Sequence, residues 1–148
     1  MSKKHFNWLM VILWMALIFT FSHQPGNISD KNSKLVIYLF DMLGLDLNGL
    51  LGEVSNFIVR KLAHFTEYFI LYMFLIRAMN YKNFKIENIF IAVIYVFLYA
   101  ASDEIHQAFV PNRGPAIRDV IIDTSGAIFA MIIYYLKTKH KFNGFINA

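Results

Sequence analysis

The sequence predicts an all-α fold, an integral membrane bundle of four transmembrane helices with one short interfacial helix. Hydrophobic residues make up 57% of the chain and charged residues 16%, against roughly 25% charged residues in an average soluble domain. The chain also contains four apolar segments long enough for a bilayer, which a helix crosses in about 20 residues. With 148 residues, the chain is predicted to form a single domain.

The predicted spans cover residues 6–22, 58–78, 86–106 and 118–137. No small-residue cleavage site follows the first, FNWLMVILWMALIFTF, so we interpret it as a retained helix and not as a signal peptide. Pro25 and Gly26 are expected to end it. Between the third and fourth spans, FVPNRGPAIR contains two prolines and a glycine, which preclude a continuous helix.

The segment between the first two spans, residues 27–56, is not predicted to cross the bilayer. Within it, KLVIYLFDML (34–43) is apolar but short, and it contains Asp41. A run of this length is typical of a helix that lies on the membrane surface or packs on the bundle. The following LDLNGLLGEVSN (45–56) is predicted to be a loop.

The charge distribution predicts the orientation of the bundle. A net charge of +4 would suggest nucleic acid as a partner for a soluble protein, but basic loops on the cytoplasmic side explain it better here. We therefore expect the lipid bilayer, and no nucleic acid, as the partner. Both termini and the turn between the second and third spans are predicted to be cytoplasmic. These segments contain one acid, Glu87, and eight of the 14 Lys and Arg residues, namely Lys3, Lys4, Arg77, Lys82, Lys85, Lys137, Lys139 and Lys141.

Ionisable residues inside the last three spans lie in the half opposite the termini, and they recur at i, i+4 and i+7, which places them on one helix face. The inner stretches 69–76, 90–98 and 128–136 contain no ionisable side chain except tyrosines. Because a charge in lipid is costly, such residues usually have a partner or a function. The three stripes are Arg60, His64 and Glu67; Tyr99, Asp103 and His106, with Gln107 adjacent; and Asp119, Asp123 and Gly126, which Ala130 extends as a small-residue face.

These stripes predict an outward-facing polar pocket, with Asp103–Asp123 as one wall and Arg60–Glu67 as the other. The first span delivers Gln24 to the same side. The candidates for acid–base chemistry are His64, Glu67, Asp103, His106 and Asp123. The candidates for ligand binding are Gln24, Arg60, Lys61, Glu104, Gln107, Arg113 and Asp119.

Two interpretations of these polar stripes involve a substrate or a ligand. In the first, the protein is a hydrolase or transferase on a lipid-linked phosphate or cell-wall precursor. Histidines and carboxylates would then transfer protons, and arginines would hold the phosphate. In the second, the same residues bind a lipid-linked or lipid-modified molecule without turning it over.

Two other interpretations need neither a substrate nor an organic ligand. The charged residues can pair with one another and only hold the bundle together, although buried ion pairs stabilise a fold less well than apolar packing does. Glu104 in particular can cap a helix end or pair with Arg113. Histidine and carboxylate groups can also hold a divalent metal ion, but their spacing matches no strong metal motif and the nearby arginines disfavour a cation. We therefore predict no cofactor. The chain has no cysteine, which excludes disulfides and thiolate metal sites.

Three blocks of the sequence resemble the VanZ-like family of small bacterial membrane proteins: FSHQP at 21–25, RKLAHFTEY at 60–68, and DEIHQAFVPNR at 103–113 followed by DVIIDTSG at 119–126. The resemblance implies a multi-span bundle in the bacterial plasma membrane. For the namesake of the family it also implies low-level resistance to teicoplanin-type glycopeptide antibiotics. It names no reaction. The expected ligand is therefore a lipid-linked cell-wall precursor or a lipoglycopeptide at the outer leaflet.

Overall fold

A computed structural model describes residues 2–81 and 84–146, with the side chains after Lys139 left out. Within these residues, four segments are long and apolar enough to cross a membrane: Lys3–Ser22, Leu47–Met79, Glu87–Gln107 and Ile117–Lys139. These segments confirm the four predicted spans. The elements are α1 (Lys3–Ser22), α2 (Gly26–Met42), α3 (Leu47–Leu51), a 3-10 turn (Gly52–Val54), α4 (Ser55–Met79), α5 (Glu87–Gln107) and α6 (Ile117–Ile146).

The region between the first two spans is more helical than the sequence predicts. α2 begins at Gly26, eight residues before the predicted start, and the Pro25 carbonyl accepts hydrogen bonds from the amides of Ile28 and Ser29 at 2.9 and 3.1 Å. The predicted loop at 45–56 contains α3, whose N-terminus is capped by Asp46 through the Gly49 amide at 2.7 Å. The first half of α2 is polar and α3 has only five residues, so neither shows the apolar periodicity from which a helix is predicted.

α4 is the central helix and packs against α1, α2, α5 and α6. Tyr68 and Tyr72 on α4 are fully buried, as are Ala92, Val96 and Ala100 on α5, which are four residues apart. Alanine at this spacing presents little side-chain bulk, so the helix backbones can approach closely. The core of the bundle therefore lies between α4, α5 and α6, with α1 against its side.

α6 approaches α4 closely at Gly126. A Cβ atom at this position would collide with the carbonyl oxygen of Phe65 on α4, and Ala127 and Ala130 beside it are fully buried. This contact confirms that Gly126 and Ala130 belong to a small-residue face that packs on another helix.

The outer surface of the bundle is apolar. Large aliphatic side chains such as Ile12 (61% exposed) and Ile94 (57% exposed) point away from the core. Such a surface suits contact with lipid acyl chains and would be unfavourable in water.

Side-chain contacts define the two ends of the bundle. At one end, the Asn7 amide on α1 donates to the Arg77 carbonyl on α4 at 3.5 Å. At the other, the Gln107 amide on α5 donates to the Ser22 hydroxyl on α1 at 2.7 Å. The second end, where α1 and α5 finish and α4 and α6 begin, is called the polar end below because the predicted ionisable stripes lie there.

Candidate functional site

Two chain connections meet at the polar end. The Gly26 amide at the start of α2 donates to the Pro111 carbonyl at 3.2 Å, and a Cβ at Gly26 would collide with the Asn112 carbonyl oxygen. Asn112 itself has φ of 58°, a left-handed conformation that asparagine adopts more readily than most residues. This contact places the α5–α6 loop on the α1–α2 turn and positions Arg113 beside α2 and α4.

A cleft of about 250 Å³ lies at this junction, between the end of α1, α2, the first half of α4 and Arg113. Its apolar lining consists of Phe21, Val36, Val59 and Ala63. Its polar lining consists of Gln24, Ser29, Asn32, Ser33, Arg60, His64, Glu67 and Arg113.

The two arginines of the cleft have different surroundings. Nη1 of Arg60 lies 2.8 Å from Oδ1 of Asp30 on α2. Arg113 is half-buried, and its side chain has no hydrogen-bond or ion-pair partner among the described residues. Burial, and then the neighbouring charge of Arg60, lower the pKa of Arg113, and the carboxylates of Asp103, Glu104 and Glu67 partly offset this. The cleft therefore has one guanidinium paired with Asp30 and one without an ion-pair contact among the described residues.

His64 lies between two carboxylates. Its Nδ1 atom is 3.8 Å from Oε2 of Glu67, three residues later on α4, and 3.8 Å from Oδ1 of Asp123 on α6. Nδ1 is buried and makes no hydrogen bond among the described residues. His64 and Glu67 line the cleft, while Asp123 is 3% exposed. Proton exchange between His64 and a bound molecule is compatible with this arrangement.

A second group of polar residues lies inside the bundle and does not line the cleft. The Tyr68 hydroxyl and the Gln107 amide both donate to Oδ2 of Asp103, at 3.3 and 3.0 Å. Gln107 also donates to Ser22. All four residues are buried. We call Ser22, Tyr68, Asp103 and Gln107 the interior network.

The remaining acidic and basic candidates have partners outside the cleft. Lys61 Nζ lies 2.5 Å from Oδ2 of Asp119, which joins α4 to α6. A Glu104 carboxylate oxygen accepts the Ala116 amide immediately before α6, so Glu104 has the capping contact anticipated for it. Arg118 is 66% exposed and lies 3.7 Å from Asp119.

His106 contacts aromatic rings at the end of α1. Its Nε2 atom lies 3.1 Å from Nδ1 of His23, and its ring centroid lies 4.6 Å from that of Phe19. His106 is therefore separated from the His64 group, although the sequence placed both histidines in one pocket.

The cleft thus brings together part of the predicted set. Gln24, Arg60, His64, Glu67 and Arg113 line it, and Asp123 lies directly behind His64. The candidates that do not line it are Lys61, Asp103, Glu104, His106, Gln107 and Asp119.

The contribution of α2 to the cleft was not predicted. Asp30 neutralises Arg60, while Ser29, Asn32 and Ser33 line the cleft. Their spacing of i, i+3 and i+4 is that of one helix face. This signal was available in the sequence, but the segment was not predicted to be helical.

A metal ion has no geometric support from the described part of the chain. Among the side chains of residues 2–81 and 84–139, no group of three or more His, Asp or Glu is arranged to hold one.

An apolar groove of about 530 Å³ adjoins the cleft along α1, α2 and α4. Trp14 lines it and donates its indole N–H to the Glu67 carbonyl at 2.9 Å. The residues specific to the groove include Leu17, Phe40, Leu45, Leu47, Leu62 and Ile70. The residues shared with the cleft are Phe21, Val36, Val59, Ala63 and Glu67. The polar cleft and the apolar groove therefore share a wall and are continuous.

Comparison with known proteins gives one family match. The family model described as VanZ/LLP1 matches residues 6–138. The comparisons with curated proteins and with solved structures found no match. The matched residues include all three sequence blocks described above and every residue that lines the cleft. The chain therefore belongs to the VanZ/LLP1 family.

Proposed function

We propose that the protein binds an amphiphilic molecule of the outer leaflet, with the polar head in the cleft and an apolar chain in the groove. The observation that carries this proposal is the wall shared by the two cavities, from Phe21 on α1 through Val36 on α2 to Ala63 on α4. Ligand sites are commonly apolar cavities with a few convergent polar groups. Here the polar groups are at one end of an apolar groove, as the two parts of an amphiphile require.

The proposed location at the outer leaflet rests on charge. The polar end of the bundle is opposite the predicted cytoplasmic turn and termini, whose short segments are rich in Lys and Arg. The chain has no cysteine, so single cysteines at Asn112 and Lys3 can be labelled selectively. A membrane-impermeant maleimide should label Asn112→Cys, but not Lys3→Cys, in intact cells. The opposite pattern would place the cleft on the cytoplasmic side.

Lipid-linked cell-wall precursors and lipid-modified glycopeptides are amphiphiles of the outer leaflet. Binding either of them would link the site to resistance against teicoplanin-type antibiotics, which the family resemblance suggests. The protein would then act by holding the wall precursor or the antibiotic away from its usual partner.

The second candidate function is turnover of the bound molecule. It is favoured by His64, whose Nδ1 atom lies 3.8 Å from carboxylates on two helices, while the residue itself lines the cleft. An imidazole in this position can exchange a proton with a reacting hydroxyl or water. Incubation with lipid-linked precursor, followed by measurement of the product mass, separates the two functions: binding leaves the mass unchanged, and turnover changes it.

Trp14 provides a test of amphiphile binding, because it lines the groove beside the polar cleft, while Trp8 lines a separate apolar cavity between α1, α4 and α5. Trp8→Phe and Trp14→Phe proteins each retain one tryptophan. Purified in dodecyl maltoside, they are titrated with lipids brominated on the acyl chain, which quench tryptophan on contact. We expect Trp14 to be quenched at a lower lipid fraction than Trp8.

The control for this titration is Ala63→Phe, which should block the junction between the cleft and the groove. Ala63 is exposed and lines both cavities, so a larger side chain should fill the junction without disturbing the core. In the Ala63→Phe background, Trp14 should no longer be quenched at a lower lipid fraction than Trp8. Equal quenching of Trp8 and Trp14 in the protein without this substitution would contradict amphiphile binding.

A further inference from the structure

Arg113 differs from the other basic side chains near the cleft. Arg60 pairs with Asp30, and Lys61 and Arg118 both lie close to Asp119. Arg113 has no such partner among the described residues, although it is half-buried. A guanidinium withdrawn from water without a counter-ion is unfavourable, so an anionic group supplied by a ligand would be stabilised there.

The backbone holds Arg113 in this position. The Pro111 carbonyl accepts the Gly26 amide, and Asn112 packs on Gly26 without room for a Cβ atom. The Arg113 amide in turn donates to the Val110 carbonyl at 3.2 Å. The loop is therefore anchored beside the arginine, and a ligand does not have to order it first.

We propose, building on amphiphile binding, that the head group carries a phosphate diester, which Arg113 contacts first and Arg60 second. Both guanidiniums line the cleft, and a guanidinium offers a planar set of donors that matches phosphate oxygens in pairs. Asp30 remains with Arg60 from the α2 side and keeps that side chain oriented.

The charges in the cleft favour a singly charged head. Asp30 already neutralises Arg60, and Glu67 lines the same cleft. Glu67 would repel a second negative charge on the ligand, so a diester fits better than a phosphate monoester. Asn32 and Gln24, which hydrogen-bond to each other at 2.8 Å, are placed to contact hydroxyl groups of the head.

The test uses the single tryptophan of the Trp8→Phe protein. Its Trp14 is titrated with three brominated lipids that have the same acyl chains: phosphatidylglycerol, which contains a phosphate diester; diacylglycerol, which has no phosphate; and fatty acid, which has a carboxylate. We expect phosphatidylglycerol to quench at a roughly tenfold lower lipid fraction than diacylglycerol, as one charge-assisted contact provides. We expect the fatty acid to lie between them.

Two arginine variants complete the test. Arg113→Gln should remove the preference for phosphatidylglycerol and leave quenching by diacylglycerol unchanged. Arg118→Gln is the matched control, because Arg118 is 66% exposed and does not line the cleft; it should retain the full preference. Circular dichroism confirms that both variants are folded.

The outcomes separate the inference from the function on which it rests. Equal quenching by phosphatidylglycerol and diacylglycerol, with Trp14 still preferred over Trp8, would overturn the phosphate site and retain amphiphile binding. A preference that survives Arg113→Gln would also overturn it. Loss of the Trp14 preference for all three lipids would overturn both proposals. Adding inorganic phosphate identifies the source. Failure to displace phosphatidylglycerol supports a lipid head group, whereas full displacement at millimolar concentration would overturn the diester proposal in favour of a site for free phosphate.

Discussion

The cleft and the interior network use similar residue types at the same end of the bundle, but their polar groups are satisfied differently. In the interior network, Oδ2 of Asp103 accepts hydrogen bonds from Tyr68 and Gln107, and the Gln107 amide also reaches Ser22. Only Oδ1 of Asp103 is buried without a partner among the described residues of this network. In the cleft, Arg113 has no partner among the described residues, and His64 Nδ1 lies 3.8 Å from its nearest carboxylates. Buried polar groups are normally hydrogen-bonded. The interior network therefore holds helices together, whereas the cleft leaves contacts for a ligand.

The largest change in stability should come from the contact between α4 and α6 at Gly126, next to the cleft and the interior network. In Gly126→Ala, the new Cβ atom would collide with the Phe65 carbonyl oxygen, which forces α4 and α6 apart. We expect the free energy of unfolding to fall by about 3 kcal/mol, as overpacking costs. Thermal unfolding in detergent measures it.

Gly114→Ala is the control for this variant, because a Cβ at Gly114 has no neighbour within 4 Å. Gly114→Ala should leave the midpoint temperature of thermal unfolding unchanged. A small effect of Gly126→Ala would show that α4 and α6 are not in close contact there.

The next largest effect should come from Gln107→Leu in the interior network. This substitution removes the donor to both Asp103 and Ser22 and leaves two buried acceptors without that partner. We expect a loss of about 2 kcal/mol in the free energy of unfolding, measured by the same thermal assay. Folded Gln107→Leu protein should still bind amphiphile. A selective loss of binding at unchanged stability would mean that the interior network belongs to the ligand site.

Glu67→Gln should give the opposite result to Gln107→Leu, namely retained stability with loss of function. Glu67 lines both cavities and makes no short hydrogen bond through its side chain within the described residues. Because Gln keeps the shape of Glu and the nearest partner, His64 Nδ1, is 3.8 Å away, we expect a change in stability below about 0.5 kcal/mol, but loss of any glycopeptide resistance that the protein confers. Susceptibility testing and membrane protein amount are measured together. If the Glu67→Gln variant supports full resistance, the cleft is not the site of that function.

Asp103→Asn is the companion variant for the susceptibility assay. It alters the interior network, so we expect it to lower the amount of protein in the membrane, and resistance to fall only in proportion. Resistance lost at a normal protein amount would assign Asp103 a role in the site itself.

The smallest effect should come from Lys61→Met. Lys61 pairs with Asp119 across α4 and α6, with 11% and 18% of the two side chains exposed, and Arg118 lies 3.7 Å from the same carboxylate. Because Arg118 remains beside Asp119 and Met replaces the apolar stem of Lys61, we expect less than about 1 kcal/mol in the free energy of unfolding and unchanged amphiphile binding. A larger loss in binding would extend the ligand site to this pair.

The spans and the polar end were predictable because apolar length and i, i+4, i+7 spacing are local properties of the sequence. Arg60, His64 and Glu67 could therefore be placed on one face of α4 in advance. Which of these residues line the cleft and which lie inside the bundle could not be predicted, because it depends on which neighbour each helix face meets. His64 and His106 have similar sequence surroundings, yet one meets Asp123 and the other meets His23.

The contribution of α2 was missed for a different reason. Its first half, GNISDKNS, is polar and gave no apolar stripe, while its packing on α4 comes from Ser33 and Ile37. The spacing of Ser29, Asn32 and Ser33 indicates one helix face, but the contact between Asp30 and Arg60 and the lining of the cleft show which neighbour that face meets.

Photocrosslinking tests the continuity of cleft and groove most directly. A phosphatidylglycerol analogue with a diazirine near the end of one acyl chain is bound to the purified protein at low lipid fraction, and crosslinked peptides are mapped by mass spectrometry. We expect crosslinks to concentrate on the groove residues Leu17, Phe40 and Ile70 and to disappear in Ala63→Phe. Crosslinks spread evenly to outward-facing residues such as Phe90 and Ile94, unchanged by Ala63→Phe, would contradict a site formed by the cleft and the groove together.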